Sequence, residues 1–137
     1  INKFSLAKAL YDNAKFIADS NGYKLISEME SYTSDPNEAY LTEAVLYGPD
    51  NAIGLADCSN DIQLGIYQIN IYTPKANQGA KWQGLQTGGV MQEGFSKGTQ
   101  LTHSGQMVRI KNTSIIPLGE DDTHLITILS INYSIIS

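Results

Sequence analysis

The fourteen residues Asp61–Pro74, DIQLGIYQINIYTP, constrain this chain more than any other stretch. They are long enough for a strand that crosses a domain, and apolar on both faces. Ile62, Leu64 and Ile66 share one parity; Tyr67, Ile69 and Ile71 share the other. Side chains alternate along a strand, so one-sided burial keeps a single apolar parity. The switch beside Gly65 implies a bulge there or a strand covered on both sides. Pro74 ends the run, because proline cannot donate to a ladder. Either way the strand is central, and two-sided cover leaves a face for helices or another subunit.

The flanking segments follow in order. Leu6, Ala9, Leu10, Ala14, Ile17 and Ala18 recur at helical spacing and predict an amphipathic helix from Lys3 to Ser20. Asn2 or Ser5 caps it, and Asn21-Gly22 stops it. Tyr23–Glu30 reads as a first strand, Ser31–Glu38 as a loop, and Ala39–Tyr47 as a second strand, an antiparallel partner for the central one. The loop 51–60 carries Ile53 and Leu55, apolar residues that fold back or meet a partner.

Beyond the central strand, Ala80–Lys97 reads as a helix with Trp82, Leu85, Gly89, Val90, Met91 and Phe95 on its stripe. Its glycines each cost roughly 1 kcal/mol against alanine, which predicts fraying or a kink around Gly88-Gly89. Ser104-Gly105 between Thr99–His103 and Gln106–Ile110 is a hairpin signal. Lys111–Asp122, with Pro117 and Gly119, reads as a long connection. Thr123–Ile135 alternates cleanly, with Leu125, Thr127, Leu129, Ile131, Tyr133 and Ile135 on one face. The order α-β-β-β-α-β-β-β gives a single α+β domain over residues 1–137, its sheet mostly antiparallel with two α-helices packed on one face.

With 137 residues and 42% apolar content the chain can bury a core of its own. No run approaches the ~18–20 apolar residues of a membrane helix, and the periodic, charged N-terminal segment does not read as a signal peptide. Cys58 is the single cysteine, which excludes an internal disulfide and a cysteine metal cluster. The simplest inference is assembly in the cytosol. A net charge of −5 argues against general nucleic-acid binding. Residues 31–65 hold Asp35, Glu38, Glu43, Asp50, Asp57 and Asp61 with no Lys or Arg. Residues 66–115 hold Lys75, Lys81, Lys97, Arg109 and Lys111 against Glu93 alone.

No enzymatic motif emerges. His103 and His124 are the only histidines, without metal or dyad spacing. Cys58 lies among acids that raise a thiol pKa. Glu120-Asp121-Asp122 lacks the spaced ligands of a calcium loop. The residues point to no catalytic group, metal or cofactor.

The order from the central strand onward resembles the phage tail terminator (tail completion) proteins of long-tailed phages. The resemblance runs through Gly65–Pro74, Gly79 and the helix ending at Phe95. It continues through Gly98-Thr99-Gln100-Leu101, Gly105–Ile110, Ser114, Pro117 and His124–Tyr133, with Ala39-Tyr40-Leu41 and the N-terminal helix upstream. The Ser27–Tyr32 segment lacks the family's aromatic pattern, and the second helix is unusually rich in glycine. The resemblance implies a structural virion protein without enzymatic activity. Such subunits form a hexameric ring that caps the tail tube, stops its polymerisation and presents a surface to head-completion or connector proteins at the head–tail junction. A ring needs two different patches on each subunit; Glu38, Glu43, Lys75, Lys81, Ile53 and Leu55 are the candidates. DNA passes the lumen without specific binding, and Asp50, Asp57 and Asp61 are candidates for a phosphate-repelling lining. The alternatives are a head-closure or tail-tube subunit, or a small hydrolase or ligand-binding domain using His103, His124 and the acidic turn.

Overall fold

The alternation at the C-terminal end of the sequence forms the strand expected of it, and the rest of the sheet is laid out from there. A computed structural model describes residues 3–28, 30–33, 35–47 and 61–136, without the side chains of 61–63, 118 and 136. Along the chain come α1 (Lys3–Ser20), β1 (Leu25–Ile26), β2 (Tyr40–Leu46), β3 (Asp61–Pro74), α2 (Ala80–Glu93), β4 (Gln100–His103), β5 (Gln106–Glu120) and β6 (His124–Ile136). They form one six-stranded sheet in the order β1-β2-β3-β6-β5-β4. Every neighbouring pair is antiparallel except β1 and β2. The fold is α+β.

β3 is central, paired with β2 on one side and β6 on the other. Its odd residues Tyr67, Ile69 and Ile71 join Leu129, Ile131 and Tyr133 of β6 in the core. Each such side chain contributes roughly 1.5–3 kcal/mol on burial. Both helices lie on this face: α1 buries Leu6, Ala9, Leu10, Ala14 and Ala18, and Phe95 just past α2 meets the Tyr67 ring at 5.8 Å. α1 stops where expected, with Gly22 at φ +73° and the Tyr23 N–H bonded back to the Ala18 carbonyl at 2.8 Å.

The parity switch in β3 has a different cause from either one expected. Pairing is regular at Gly65; the irregularity falls between Asp61 and Gln63. Leu64 and Ile66 lie on the sheet's other face, which no helix covers. Gly65 is required by close approach. The Tyr133 hydroxyl crosses over it to donate to the Leu46 carbonyl at 3.1 Å, and a Cβ at Gly65 would stand 2.3 Å from that hydroxyl and 2.7 Å from the Leu46 oxygen.

α2 runs unbroken from Ala80 through Gly88-Gly89 to Glu93 and stops short of Lys97. Its inward face is Ala80, Gly84, Thr87, Gly88 and Met91, whereas Trp82 is 76% exposed. The glycines let the helix lie close: a Cβ at Gly84 would meet Thr127 Oγ1 at 2.6 Å, and one at Gly88 would meet Ile71 at 3.3 Å. Tight contact with the sheet outweighs the local propensity cost.

Two strands differ in length from expectation. β1 is two residues, because the next backbone groups turn to side chains: Glu28 N–H donates to Glu43 Oε2 at 2.7 Å, and Ser27 N–H to Glu30 Oε1 at 3.0 Å. In the other direction, the expected connection Lys111–Asp122 is mostly strand, since β5 continues along β6 to Glu120 with bulges at Ile110/Asn112 and Pro117/Gly119. Pro117 is tolerated where its nitrogen faces away from β6. The hairpin joining β4 and β5 turns at Ser104 (φ 49°) and Gly105 (φ 83°), both left-handed, as a two-residue turn requires.

Gly65→Ala is expected to lower stability by about 1–3 kcal/mol through overpacking against backbone. Gly89→Ala, whose Cβ would enter open space, is expected to raise it by about 0.5–1 kcal/mol. Urea unfolding of the two variants against the parent checks both signs.

Candidate assembly surface

With both helices on one face, most of the opposite face is uncovered among the described residues; the exception is the end near His124, where the segment around Tyr32 and Glu38 lies over Tyr40 and His124. The middle of that face is made of amides and hydroxyls tied to one another. Gln68 donates to Asn70 at 2.8 Å, Asn70 to Thr42 at 3.4 Å, and Asn132 to Asn112. At one end the face turns apolar through Leu46, Leu64 and Ile66, and at the other through Ile116, Ile126 and Ile128. Leu64 is 63% exposed, with Leu46 and Ile116 close to half. Among the described residues, β2, β3 and β6 place no Asp, Glu, Lys or Arg on this face. Single exposed leucines are ordinary; apolar ends on a face to which β2, β3 and β6 bring no charge are not. A cleft of about 540 Å³ opens at the first end, lined by Leu46, Tyr47, Leu64, Ile66, Lys111 and Tyr133 among others.

The charged candidates gather elsewhere. Glu38, Lys75 and Lys81 lie at the same end of the sheet, where β2 begins and β3 stops. There Lys24 pairs with Glu38 at 2.8 Å and Lys75 with Glu120 at 3.1 Å, all four side chains at least a third exposed. Lys81 shares a shallow cleft with Pro117, Glu120 and Leu125. Neither pair joins the acidic segment 31–65 to the basic segment 66–115, since Lys24 and Glu120 lie outside both. Such exposed pairs contribute little to the fold. Glu43 points the other way. It is buried, and its carboxylate accepts from the Tyr67 hydroxyl at 2.7 Å and from Glu28 N–H. It is a core group rather than a surface charge. Burial, reinforced by this neighbouring carboxylate, pushes the Tyr67 hydroxyl pKa well up. Ile53, Leu55, Asp50 and Asp57 lie outside the described residues; so does the Asp61 side chain, whose backbone opens β3 opposite Ile136.

The family model for phage tail terminator proteins matches residues 5–133. This chain belongs to the phage tail terminator family. Among solved structures, one protein known only by a serial designation superposes over 98% of this chain and 96% of its own with a TM-score of 0.76. At 14% identity that likeness concerns the fold alone. No curated protein matches in sequence. The family is a structural one of the phage tail.

The histidines of this terminator are far apart. His124 opens β6, whereas His103 pairs with Gln106, next to the residue that meets Ile136 at the other end of β6. Twelve residues at about 3.3 Å each put roughly 40 Å between those ends. His103 lies 3.9 Å from Asp12. His124 is fully buried in a small aromatic cluster that sequence reading missed. Tyr40 and Tyr72 stack at 4.5 Å, and both meet the imidazole edge-on. Its Nε2 donates to the Glu38 carbonyl at 2.8 Å, so Nδ1 is the acceptor for the Thr123 hydroxyl at 2.7 Å. The alternation of Tyr40, Tyr72 and His124 on the open face was the available signal; their convergence depends on register. Among the described residues, no three His, Cys, Asp or Glu side chains converge as a metal site would need.

Asp121, at the acidic turn, shapes the entry to β6. It accepts from the N–H groups of Thr123 at 2.8 Å and His124 at 2.7 Å, and these bonds hold its carboxyl below the usual range.

Two outcomes follow from these contacts. Tyr67→Phe leaves a buried Glu43 oxygen unpaired and is expected to cost about 1–3 kcal/mol in urea unfolding. Because the Asp121 pKa is lower folded than unfolded, its stabilisation is complete above pH ~4 and disappears as pH falls through the lower folded value. Asp121→Ala is therefore expected to lower the urea midpoint at pH 6 while narrowing the drop between pH 5 and pH 2.

Proposed function

We propose that this terminator assembles into a six-membered ring that caps the finished tail tube and ends its polymerisation. The ring then offers its far side to head-completion or connector proteins at the head–tail junction. The observation that carries the reading is the uncovered sheet face: a subunit that keeps Leu46, Leu64, Ile66 and Ile116 open has a surface built for a neighbour. A ring needs heterologous contacts, with two different patches of each subunit meeting. Lys75, Lys81 and Glu38, at one end of the sheet, are candidates for polar contacts between neighbouring subunits. Ile53 and Leu55 extend the apolar contact, and Asp50, Asp57 and Asp61 turn acidic groups to a lumen through which DNA passes without specific binding. The net charge of −5 suits that role. Assembly takes place in the host cytoplasm, and the mature location is the virion tail.

The alternative within phage assembly is a tube or head-closure subunit, which shares the need for a subunit interface. Native mass spectrometry across concentration, with and without purified tail tubes, separates these. A discrete hexamer supports the terminator ring, and open-ended polymers support a tube subunit. Leu64→Lys places a charge in the uncovered face and is expected to leave the melting temperature within a few degrees while abolishing the hexamer. A Leu64→Lys hexamer as stable as the parent would remove this face from the interface.

A further inference from the structure

Among the described residues both edges of the sheet are only partly covered, and their hydrogen-bonding groups are complementary. On one side, β4 covers β5 only as far as Ile110, whose N–H bonds the Thr99 carbonyl and whose carbonyl accepts from Gly98 N–H, both at 2.9 Å. Residues 112–120 continue along β6 with no backbone partner on their other side among the described residues. The two bulges bracket a regular stretch, Asn112–Pro117, without a charged side chain. Within it, Thr113 and Ile115 face the helices: Gln92 donates to the Thr113 hydroxyl at 2.8 Å, and Ile115 lies under Gly88. Pro117 shares their parity, and its nitrogen, having no hydrogen, faces away from β6. Backbone groups alternate sides along a strand, so the N–H and C=O of Thr113 and Ile115 also face outward.

The opposite edge is β2, which β1 covers at Leu41 and Thr42 alone. The Leu41 N–H bonds outward to the Lys24 carbonyl at 2.8 Å. By the same alternation Glu43 and Val45 turn their backbone groups outward; the parallel pairing of Ile26 with Thr42 takes the Glu43 N–H, which leaves Val45 beyond the reach of β1. Ser27 and Glu28 approach Glu43 through its carboxylate, and Val45 lies beyond them.

We propose that subunits join edge to edge, β5 of one copy adding to β2 of the next as antiparallel strands, with Thr113 opposite Val45 and Ser114 opposite Ala44. This rests on the ring reading above and adds an edge contact to the sheet-face contact proposed there. Within one sheet β2 and β5 run antiparallel, so two copies set side by side with the same face up bring these edges together in antiparallel sense. The covered parts, β4 up to Ile110 and β1 up to Thr42, then fall at opposite ends of the shared stretch and clear each other. Lys111, Pro117 and the bulges confine the pairing to this short window, as natural edges do to prevent open-ended addition. Two different edges make the contact heterologous, the kind that closes rings.

Ala44 and Ser114 are small residues on the uncovered face, and as a non-hydrogen-bonded pair their Cα atoms would lie about 4.5 Å apart, within disulfide reach. The test is Ala44→Cys with Ser114→Cys in a Cys58→Ser background, oxidised and resolved by non-reducing gel electrophoresis. The expected result is a ladder of covalent oligomers, absent when Ser130→Cys, one strand further in, replaces Ser114→Cys. As a second readout, Thr113→Pro deletes an outward N–H while sparing the β6 ladder, as Pro117 does. It is expected to keep the parent's circular dichroism and to be monomeric by native mass. If the parent forms a discrete oligomer but the Cys pair links no better than the Ser130 control and Thr113→Pro assembles normally, the edge proposal is overturned and the ring stands. A parent that stays monomeric at every concentration and with tail tubes overturns both.

Discussion

The ladder between β3 and β6 is the constraint on which the rest of this molecule depends. It runs from Asp61 opposite Ile136 to Pro74 opposite His124, and its inward residues form the floor of the core. Because side chains alternate strictly, fixing Tyr67, Ile69 and Ile71 against Leu129, Ile131 and Tyr133 also fixes what lies on the other side. A slip of one residue would bury Gln68 and Asn70 beneath the helices. The helices therefore have one place to go, and the opposite face is left to whatever the subunit meets.

That asymmetry makes sense of residues that conflict with local propensity. Glycine at 84 and 88 weakens a helix considered alone, yet it brings α2 onto Ile71, Ile115 and Thr127 with no intervening side chain. Gly65 lets Tyr133 reach across to Leu46. Glu43, an acid within the core, is held by the Tyr67 hydroxyl and the Glu28 amide, and the same bonds draw the chain away from β2 and leave that edge short of cover. Buried polar groups of this kind are acceptable because they are paired.

The polar end of the sheet is organised by a different set of contacts. His124 ties β6 to the backbone at Glu38 and lies against Tyr40 and Tyr72, while Asp121 folds the turn that delivers it. These residues resemble an acid–base inventory when read along the sequence, but they are joints between strands. A structural family suits this use of histidine and aspartate.

Periodicity by itself determined α1, β2, β3, the β4–β5 hairpin and the inward face of β6, because each is long and its apolar spacing matches one period alone. It determined the α+β class for the same reason. Tertiary contact decided the rest. The extension of β5 through Lys111–Glu120 depended on a long β6 to pair with, and a proline there reads as a break until its nitrogen is known to face away from the ladder. The inward face of α2 depended on how closely a sheet would approach, which turned Trp82 outward and the glycines inward. Glu43 and His124 were legible as titratable groups but not as buried ones, since their partners lie 24 and 86 residues away in the chain. The uncovered face was present in the sequence as the second apolar parity of β3. Only the placement of both helices on one side showed that neither of them covers it.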